Sequence, residues 1–305
     1  MKAKKIIKKV LASLMSLILV AVLVFMVTMF YNYPYYRKNR RELKLETGSG
    51  DEIRVMSCNV RCINPLDFGK KNWFFRADLL LNGMEKENPG VIGFQEVTKW
   101  QYDFLTSSLP QFDSVITYRD KMFNSEGCPV FYRKDVYKLV DKGSFWLSET
   151  PEIMSKDWGA ACYRICSYVI LEQLNDGNRF VVFNTHLDHV SDEARIKGIN
   201  VVLDKIKAFG SLPSVIMGDF NAEEDSETYS AVTENFLDAK YQTEKTMTSC
   251  TYQNWGAGLD RNCIDYFMIS KQGIEVEEYK VLTDTFDGVY ASDHFQLFTV
   301  LKLTD

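Results

Sequence analysis

From residue 53 onward, short apolar and β-branched runs alternate with longer segments of helical spacing. The runs at 53–60 and 91–97 read as strands. Each ends on polar company, Asn59 in the first and Gln95-Glu96 in the second. Between them, Leu79, Leu80 and Met84 share one face of a helix predicted over 76–87, which Pro89-Gly90 stops. A second helix is predicted over 99–109. The middle of the chain is strand-rich, with runs at 112–119, 128–133, 137–147, 164–174 and 179–187. Asp176-Gly177-Asn178 supplies a hairpin turn between the last two. Over 191–209, Ile199, Val202, Leu203, Ile206 and Phe209 form one helical stripe, which is core material. Val215-Ile216-Met217 is a buried-type strand that Gly218 is expected to break. A short helix at 226–234, an irregular polar stretch at 240–261, motif-bearing runs at 263–269 and 291–295, and a last strand at 295–303 complete the pattern.

The N-terminus follows another rule. Lys2, Lys4, Lys5, Lys8 and Lys9 precede an uncharged, largely apolar run of 22 residues, 10–31. About 20 apolar residues span a bilayer, so this run is a transmembrane-helix candidate. A cleaved signal peptide has an apolar core of only about 7–15 residues and a small-residue cleavage site. The residues after position 24 are bulky, so an uncleaved anchor is the expectation. The division is then a basic tail at 1–9, the anchor at 10–31, a basic linker at 32–50 closing on Gly48-Ser49-Gly50, and a domain at 51–305. Basic residues flank the run on both sides (Arg37, Lys38, Arg40, Arg41 and Lys44 follow it), so charge counting alone does not orient it. An anchor at the extreme N-terminus favours a short cytoplasmic tail and an external domain, single-pass in the cell membrane.

Setting the first 45 residues apart changes the charge balance. They hold ten of the 36 basic residues but one of the 41 acidic ones, so the remainder carries 26 against 40, a net of −14. Tight general binding of a polyanion needs basic surface, and this balance argues against it. The seven cysteines contain no Cys-x-x-Cys pair, so a structural zinc site is not indicated. Their odd number and strand placement fit unpaired thiols, with Cys58–Cys62 and Cys162–Cys166 the local pairs should a disulfide form.

The chemistry gathers at strand ends. Asp219 and Asn221 are two apart, so on an extended backbone both side chains leave on one face; together they offer oxygen ligands and a donor. Gly, Asp and Asn are also ordinary turn residues, and on this stretch alone the two readings stay open. The chain has three histidines, His186, His189 and His294, each within two residues of Asp188 or Asp293. Histidine beside a carboxylate is the pairing suited to proton transfer near neutral pH.

Asn59, Glu96 in Gln-Glu-Val, His186 in Asn-Thr-His-Leu, Gly-Asp219-Phe-Asn221, Asp265 in Ile-Asp-Tyr-Phe and Ser-Asp293-His294 follow one another in an order that resembles the endonuclease/exonuclease/phosphatase superfamily. The resemblance covers residues 51–303, and Phe145-Trp-Leu-Ser-Glu-Thr-Pro151 and Asn184-Thr-His-Leu-Asp-His189 are similar to an uncharacterised bacterial branch of it. It implies an α/β fold: a four-layer α/β sandwich, two mixed sheets face to face with helices outside, preceded here by the transmembrane helix. It also implies a Mg2+ or Mn2+ ion at Glu96 and Asn59, with His294, oriented by Asp293, taking the proton from water. Asp219 and Asn221 would position water and phosphate, His186 would donate to a phosphoryl oxygen, and Asp265 would support His186 or a second metal. Arg61 stands where DNA-repair members carry an acidic residue, which counts against a repair nuclease. Arg164 reads equally as a phosphate ligand or a solvated strand residue, and His189 as an unassigned rim residue. Tyr252, Trp255 and Arg261 fall where a substrate-contacting loop is expected, and could stack on a sugar or base.

Three functions follow from this reading. A membrane-anchored, monomeric, metal-dependent phosphoesterase acting on a small or lipid-linked phosphomonoester or phosphodiester is favoured by the acidity and the anchor. An extracellular Mg2+-dependent nuclease is the alternative. A catalytically dead membrane-bound binding module is the third, and the complete polar set argues against it.

Overall fold

The computed structural model describes residues 2–48, 51–258 and 263–304. The run expected to cross a membrane lies in one helix, α1 (Lys2–Phe30), which also takes in the basic tail. Its segment Lys4–Val27 is uncovered by the rest of the chain and is long and apolar enough to span a bilayer. Among the described residues, thirteen strands then form two sheets. The first contains β1 (Ile53–Asn59), β2 (Val91–Gln95), β3 (Phe112–Val115), β4 (Val130–Arg133), β10 (Thr246–Met247), β12 (Ile274–Leu282) and β13 (Gln296–Leu303), in the order β10-β12-β13-β1-β2-β4-β3. The second runs β5-β6-β7-β8-β11-β9, from β5 (Tyr137–Trp146), β6 (Ile165–Gln173), β7 (Arg179–His186), β8 (Ser214–Asp219), β9 (Phe236–Asp238) and β11 (Asp265–Ser270).

Strand alternation builds the layers. Along β1, Val55 faces an inner core shared with Val215 and Phe267 of the other sheet. Its neighbour Met56 faces outward, onto α3 (Trp73–Arg76), α4 (Leu80–Glu87) and α5 (Lys99–Ser108). On the second sheet, Phe183 and Ile216 face α6 (Asp192–Lys207) and α7 (Glu227–Thr233). Helices, sheet, sheet, helices give the expected four layers. The expected stripe Ile199-Val202-Leu203-Ile206 is buried, and the Ser191 hydroxyl caps α6 by accepting from Ala194 N–H. The single helix expected over 76–87 is broken into α3, a 3-10 turn and α4. No strand was expected at β12. Its alternation is interrupted by a register shift between Val276 and Glu278, and Glu275, Glu277 and Lys280 mask its apolar face.

Each sheet has a parallel pair near its centre, β1–β2 and β7–β8, flanked by antiparallel neighbours. Asn59 pairs with Gln95, and His186 with Asp219, so both pairs end on the same edge of the sandwich. Strand β11 runs antiparallel to β8 and starts opposite Asp219, at Asp265. Gly218 continues β8 rather than breaking it. Its φ of 138° and a Cβ that would lie 1.9 Å from the Thr185 carbonyl oxygen explain why glycine occupies this strand position.

Residues 32–46 of the basic linker expected at 32–50 are instead packed on the domain. Phe30 stacks on Phe74 and meets Trp100 at 5.7 Å, and the Asn32 side chain donates to the Gly69 carbonyl. Within α2 (Tyr33–Asn39), Tyr36 packs against Phe74 and Phe104. Arg41 donates to Asp78, Asn82 and Glu85. Leu43 and Leu45 are buried, Leu43 N–H bonds to Ser108, and Arg133 donates to the Glu46 carbonyl. Burial of each leucine contributes about 1.5–3 kcal/mol. Charge suggested a solvated tether, whereas the aromatic and leucine positions interleaved with that charge dock it. Ser49 and Gly50 of the expected linker lie outside the described residues.

Candidate active site

The ends of β1, β2, β7 and β8 meet across the seam between the sheets. Asn59 Nδ2 donates to Asp219 Oδ2 at 2.9 Å and to Glu96 Oε1 at 3.2 Å, joining the two sheets. Arg61 N–H donates to Asn59 Oδ1, which sets the amide's orientation. Glu96 Oε2 accepts from Cys62 N–H at 2.8 Å. On the other sheet, Asn221 N–H bonds back to Asp219 Oδ1, while its side chain reaches His186 Nε2 at 2.9 Å. The chain turns sharply after three of these strands. Arg61, Glu96 and Asn221 have φ of 55°, 61° and 49°, a left-handed conformation unusual for residues other than glycine.

Beneath the site, buried amides cross the same seam. Gln95 donates to Asn184 Oδ1 at 2.7 Å, and Asn184 donates to the Phe94 and Pro129 carbonyls. Gly93 makes room for them, since a Cβ there would lie 2.9 Å from the Asn184 side chain. Both residues sat inside the sequence motifs without an assigned part; a buried amide in an otherwise apolar strand was the available signal.

Above lies a cleft of about 550 Å3, lined by Arg61, Glu96, Arg119, Glu126, Arg164, His186, His189, Asp219, Asn221, Tyr252, Asp293 and His294. Its size suits a small ligand. Two of its histidines are driven in opposite directions. His294 Nδ1 bonds to Asp265 Oδ2 at 2.8 Å, and its Nε2 lies 3.7 Å from Asp219 Oδ2. Burial would lower this imidazole, but Asp265 and Asp219 overcome it and hold the pKa up to about 10. For His186, burial acts together with Arg164 and Arg119 and holds the pKa well below its ordinary value. Burial and Asp265 push the Asp219 carboxyl up to about 7 against the pull of His294. Burial opposes Glu96 ionisation, yet the Cys62 N–H, His294 and Arg61 keep its pKa below the usual value.

The far wall is cationic. Arg164 is buried, its guanidinium 3.0 Å from His189 Nδ1 and 3.7 Å from Asp188 Oδ2. Asp188 accepts backbone N–H bonds from Ala161, Cys162, Val190 and Ser191, which outweigh burial and hold its pKa at about 2. Arg119 pairs with Glu126 at 2.8 Å. Each arginine leaves a buried Nε without a hydrogen-bond partner. Sequence reading missed Arg119 and Glu126, which enter from the loop between β3 and β4. The Arg119-to-Gly127 stretch carried no motif; the Gly127 bridges to Val97 and Tyr118, together with the Trp146 indole donating to the Arg119 carbonyl, hold it at the cleft.

Several expectations change. The partner of His294 is Asp265, which was expected to support His186 or a second metal, and not Asp293. Asp293 faces Arg61 at 3.7 Å and accepts from the Ser292 hydroxyl. Asn59 was expected as a metal ligand, but its amide N–H2 faces the carboxylates and its oxygen is engaged by Arg61 N–H. Tyr252 reaches the cleft, its ring 4.9 Å from His294. Trp255 does not line the cleft and instead covers Arg76 and Lys71. Arg261 lies outside the described residues. All seven cysteines are free thiols.

A family model described as the endonuclease/exonuclease/phosphatase family matches residues 56–294. The chain belongs to that family. A family structure from Bacteroides vulgatus is 30% identical and superposes with a TM-score of 0.79, covering 83% of this chain and 99% of that one. A mannosyl-6-phosphatase from Bacteroides thetaiotaomicron is 29% identical, with a TM-score of 0.75 over 83% of this chain and 100% of its own. Human nocturnin is 23% identical over 313 aligned positions, covering 89% of this chain and 70% of nocturnin. These relatives share the endonuclease/exonuclease/phosphatase fold of two mixed sheets between helices, and the family is one of phosphoesterases and nucleases.

Proposed function

We propose that this chain is a divalent-metal-dependent phosphoesterase, held to the membrane by α1 with its domain outside, that hydrolyses a small phosphomonoester by in-line attack of water. The observation that carries this reading is a carboxylate cluster and two buried or half-buried arginines lining one cleft of about 550 Å3. A phosphomonoester is a compact dianion, and Arg119 and Arg164 are the cations that meet it. The likeness to a mannosyl-6-phosphatase supports a monoester, and the acidic domain argues against extended nucleic acid.

Asp219, poised near neutrality, accepts the proton from the attacking water, while Asn59 and Asn221 fix its carboxylate. This role was expected for His294. Asp265 and Asp219 instead keep that ring protonated, so it serves as a donor to a phosphoryl oxygen. His186, neutral, accepts from the Asn221 amide at Nε2, so it holds that side chain in place beside the site. The water oxygen bonds to phosphorus as the ester P–O bond breaks, and the leaving alkoxide takes up a proton. The oxygen donors Glu96 and Asp293 suit a hard cation such as Mg2+ or Mn2+. Such an ion, when bound, supplies charge neutralisation at the phosphoryl group.

The test is phosphate release by the full chain in detergent from a panel of sugar phosphates, nucleotides, inositol phosphates, RNA and DNA. Mg2+ or Mn2+ should support turnover of a monoester and EDTA should abolish it. Turnover that survives both EDTA and Asp219→Ala, or none on any substrate, would defeat the reading.

A further inference from the structure

Strand β1 runs from Ile53 at the far edge to Asn59 at the cleft edge. Were α1 joined directly to β1, it would leave the domain at the end opposite the cleft. The docked segment reverses that. Phe30 sits against Trp100, which opens α5 beside the cleft edge, whereas Leu43 bonds to Ser108 at the other end of α5. Residues 31–46 thus run back down the outer helical face over the length of a strand, about 20 Å for seven residues. The bilayer-length helix therefore emerges at the catalytic edge.

The same edge carries unpartnered apolar side chains. The loop after β1 exposes Leu66 and Phe68, and the loop between β3 and β4 exposes Met122 and Phe123, the last 98% accessible. Both loops also expose lysines (Lys70, Lys71 and Lys121). Their acidic members Asp67, Asp120 and Glu126 are turned inward, at 9%, 11% and 15% side-chain exposure. Apolar tips with exposed cations and inward-facing acids fit a phospholipid interface, apolar atoms among the acyl chains and ammonium groups at the phosphates.

We infer that the domain sits cleft-down on the bilayer that α1 crosses, seated by the Leu66–Phe68 and Met122–Phe123 loops, and that its substrate is a phosphoester carried on a membrane lipid. The substrate class rests on the phosphoesterase reading above; the seating does not.

The test uses the full chain in phosphatidylcholine vesicles that bear a nitroxide at the headgroup level. A fluorescent amino acid placed at Phe123 is expected to be quenched, and one at Leu174, exposed on the opposite edge, is not. The double variant Met122→Asp/Phe123→Asp should lower turnover of phosphatidic acid in the vesicles at least about tenfold and leave glycerol 3-phosphate turnover unchanged. Quenching at Leu174 in place of Phe123, or at neither, overturns the seating, as does a purified membrane-expressed chain that lacks α1. Equal loss on both substrates, or no loss on either, overturns the lipid substrate. Quenching at Phe123 with no turnover of either substrate by the unmodified chain would sink the phosphoesterase reading and leave the seating standing.

Discussion

His294 and His186 both lie against the Asp219 carboxylate, 3.7 and 3.5 Å from its Oδ2, and both are buried, yet one is pushed up to about 10 and the other well below its ordinary value. Depth and the Asp219 carboxylate are common to them; the other neighbours are not. His294 also holds Asp265 at 2.8 Å, whereas Arg164 and Arg119 add their positive charge to burial at His186. On the proposed mechanism, the carboxylates manage protons and the arginines receive the phosphoryl group. The difference teaches that residue type and strand-end position place a histidine in the site, while charges from other strands decide its part.

The most severe way to break that division is Asp219→Asn. Turnover should fall by about three orders of magnitude, within the range for a general base. Its pKa of about 7 lies above that of a free aspartate, about 3.9. Its contribution to stability is therefore complete below about pH 4 and lost as pH rises through about 7. The variant should accordingly melt higher than the parent at pH 8; a lower melting point there would contradict the burial argument.

Asp265→Asn tests the charge on His294 directly. The parent should gain activity as Asp219 ionises near pH 7 and lose it as His294 deprotonates near pH 10. Without Asp265 the alkaline limb should move down by at least about one pH unit, with a tenfold or greater loss of kcat, since close opposite charges move a pKa by about 1–3 units. A limb that stays in place would show that Asp265 does not govern the ring. Among the arginines, Arg164→Ala should raise KM about tenfold, equivalent to about 1.4 kcal/mol, with a smaller effect on kcat. If kcat alone falls, the carboxylates and the arginines share the chemistry instead of dividing it. The smallest effect is expected at Trp255. Because that ring covers Arg76 away from the cleft, Trp255→Phe should change KM less than about twofold and lower stability by at most about 1 kcal/mol.

The sequence placed most strands within a few residues and brought Glu96, His186, Asp219, Asn221 and His294 to one edge, because each ends, follows or, for His294, immediately precedes a strand whose apolar run is readable by itself. What it did not place depends on separation. The Asp265–His294 pair spans 29 residues and the Arg164–His189 pair 25, and nothing local distinguishes Asp265 from the adjacent Asp293 as partner. Asn59 was assigned by residue type, and only the Arg61 N–H on its oxygen revealed which end of the amide faces the carboxylates. Strand β12 and the docked segment at 31–46 escaped for a common reason, since charged residues interrupt an apolar pattern that packs all the same.

The Gln95–Asn184 bond under the site has a consequence for how this molecule can vary. Apolar sheet faces tolerate small sliding, but two buried amides locked across them act as an alignment pin. The two jaws of the cleft then hold a fixed calibre, and neither can drift without orphaning a polar group in the interior. Selectivity among members of such a design is left to the loops above the strands, which can lengthen, shorten or change their side chains while the gauge beneath them stays constant.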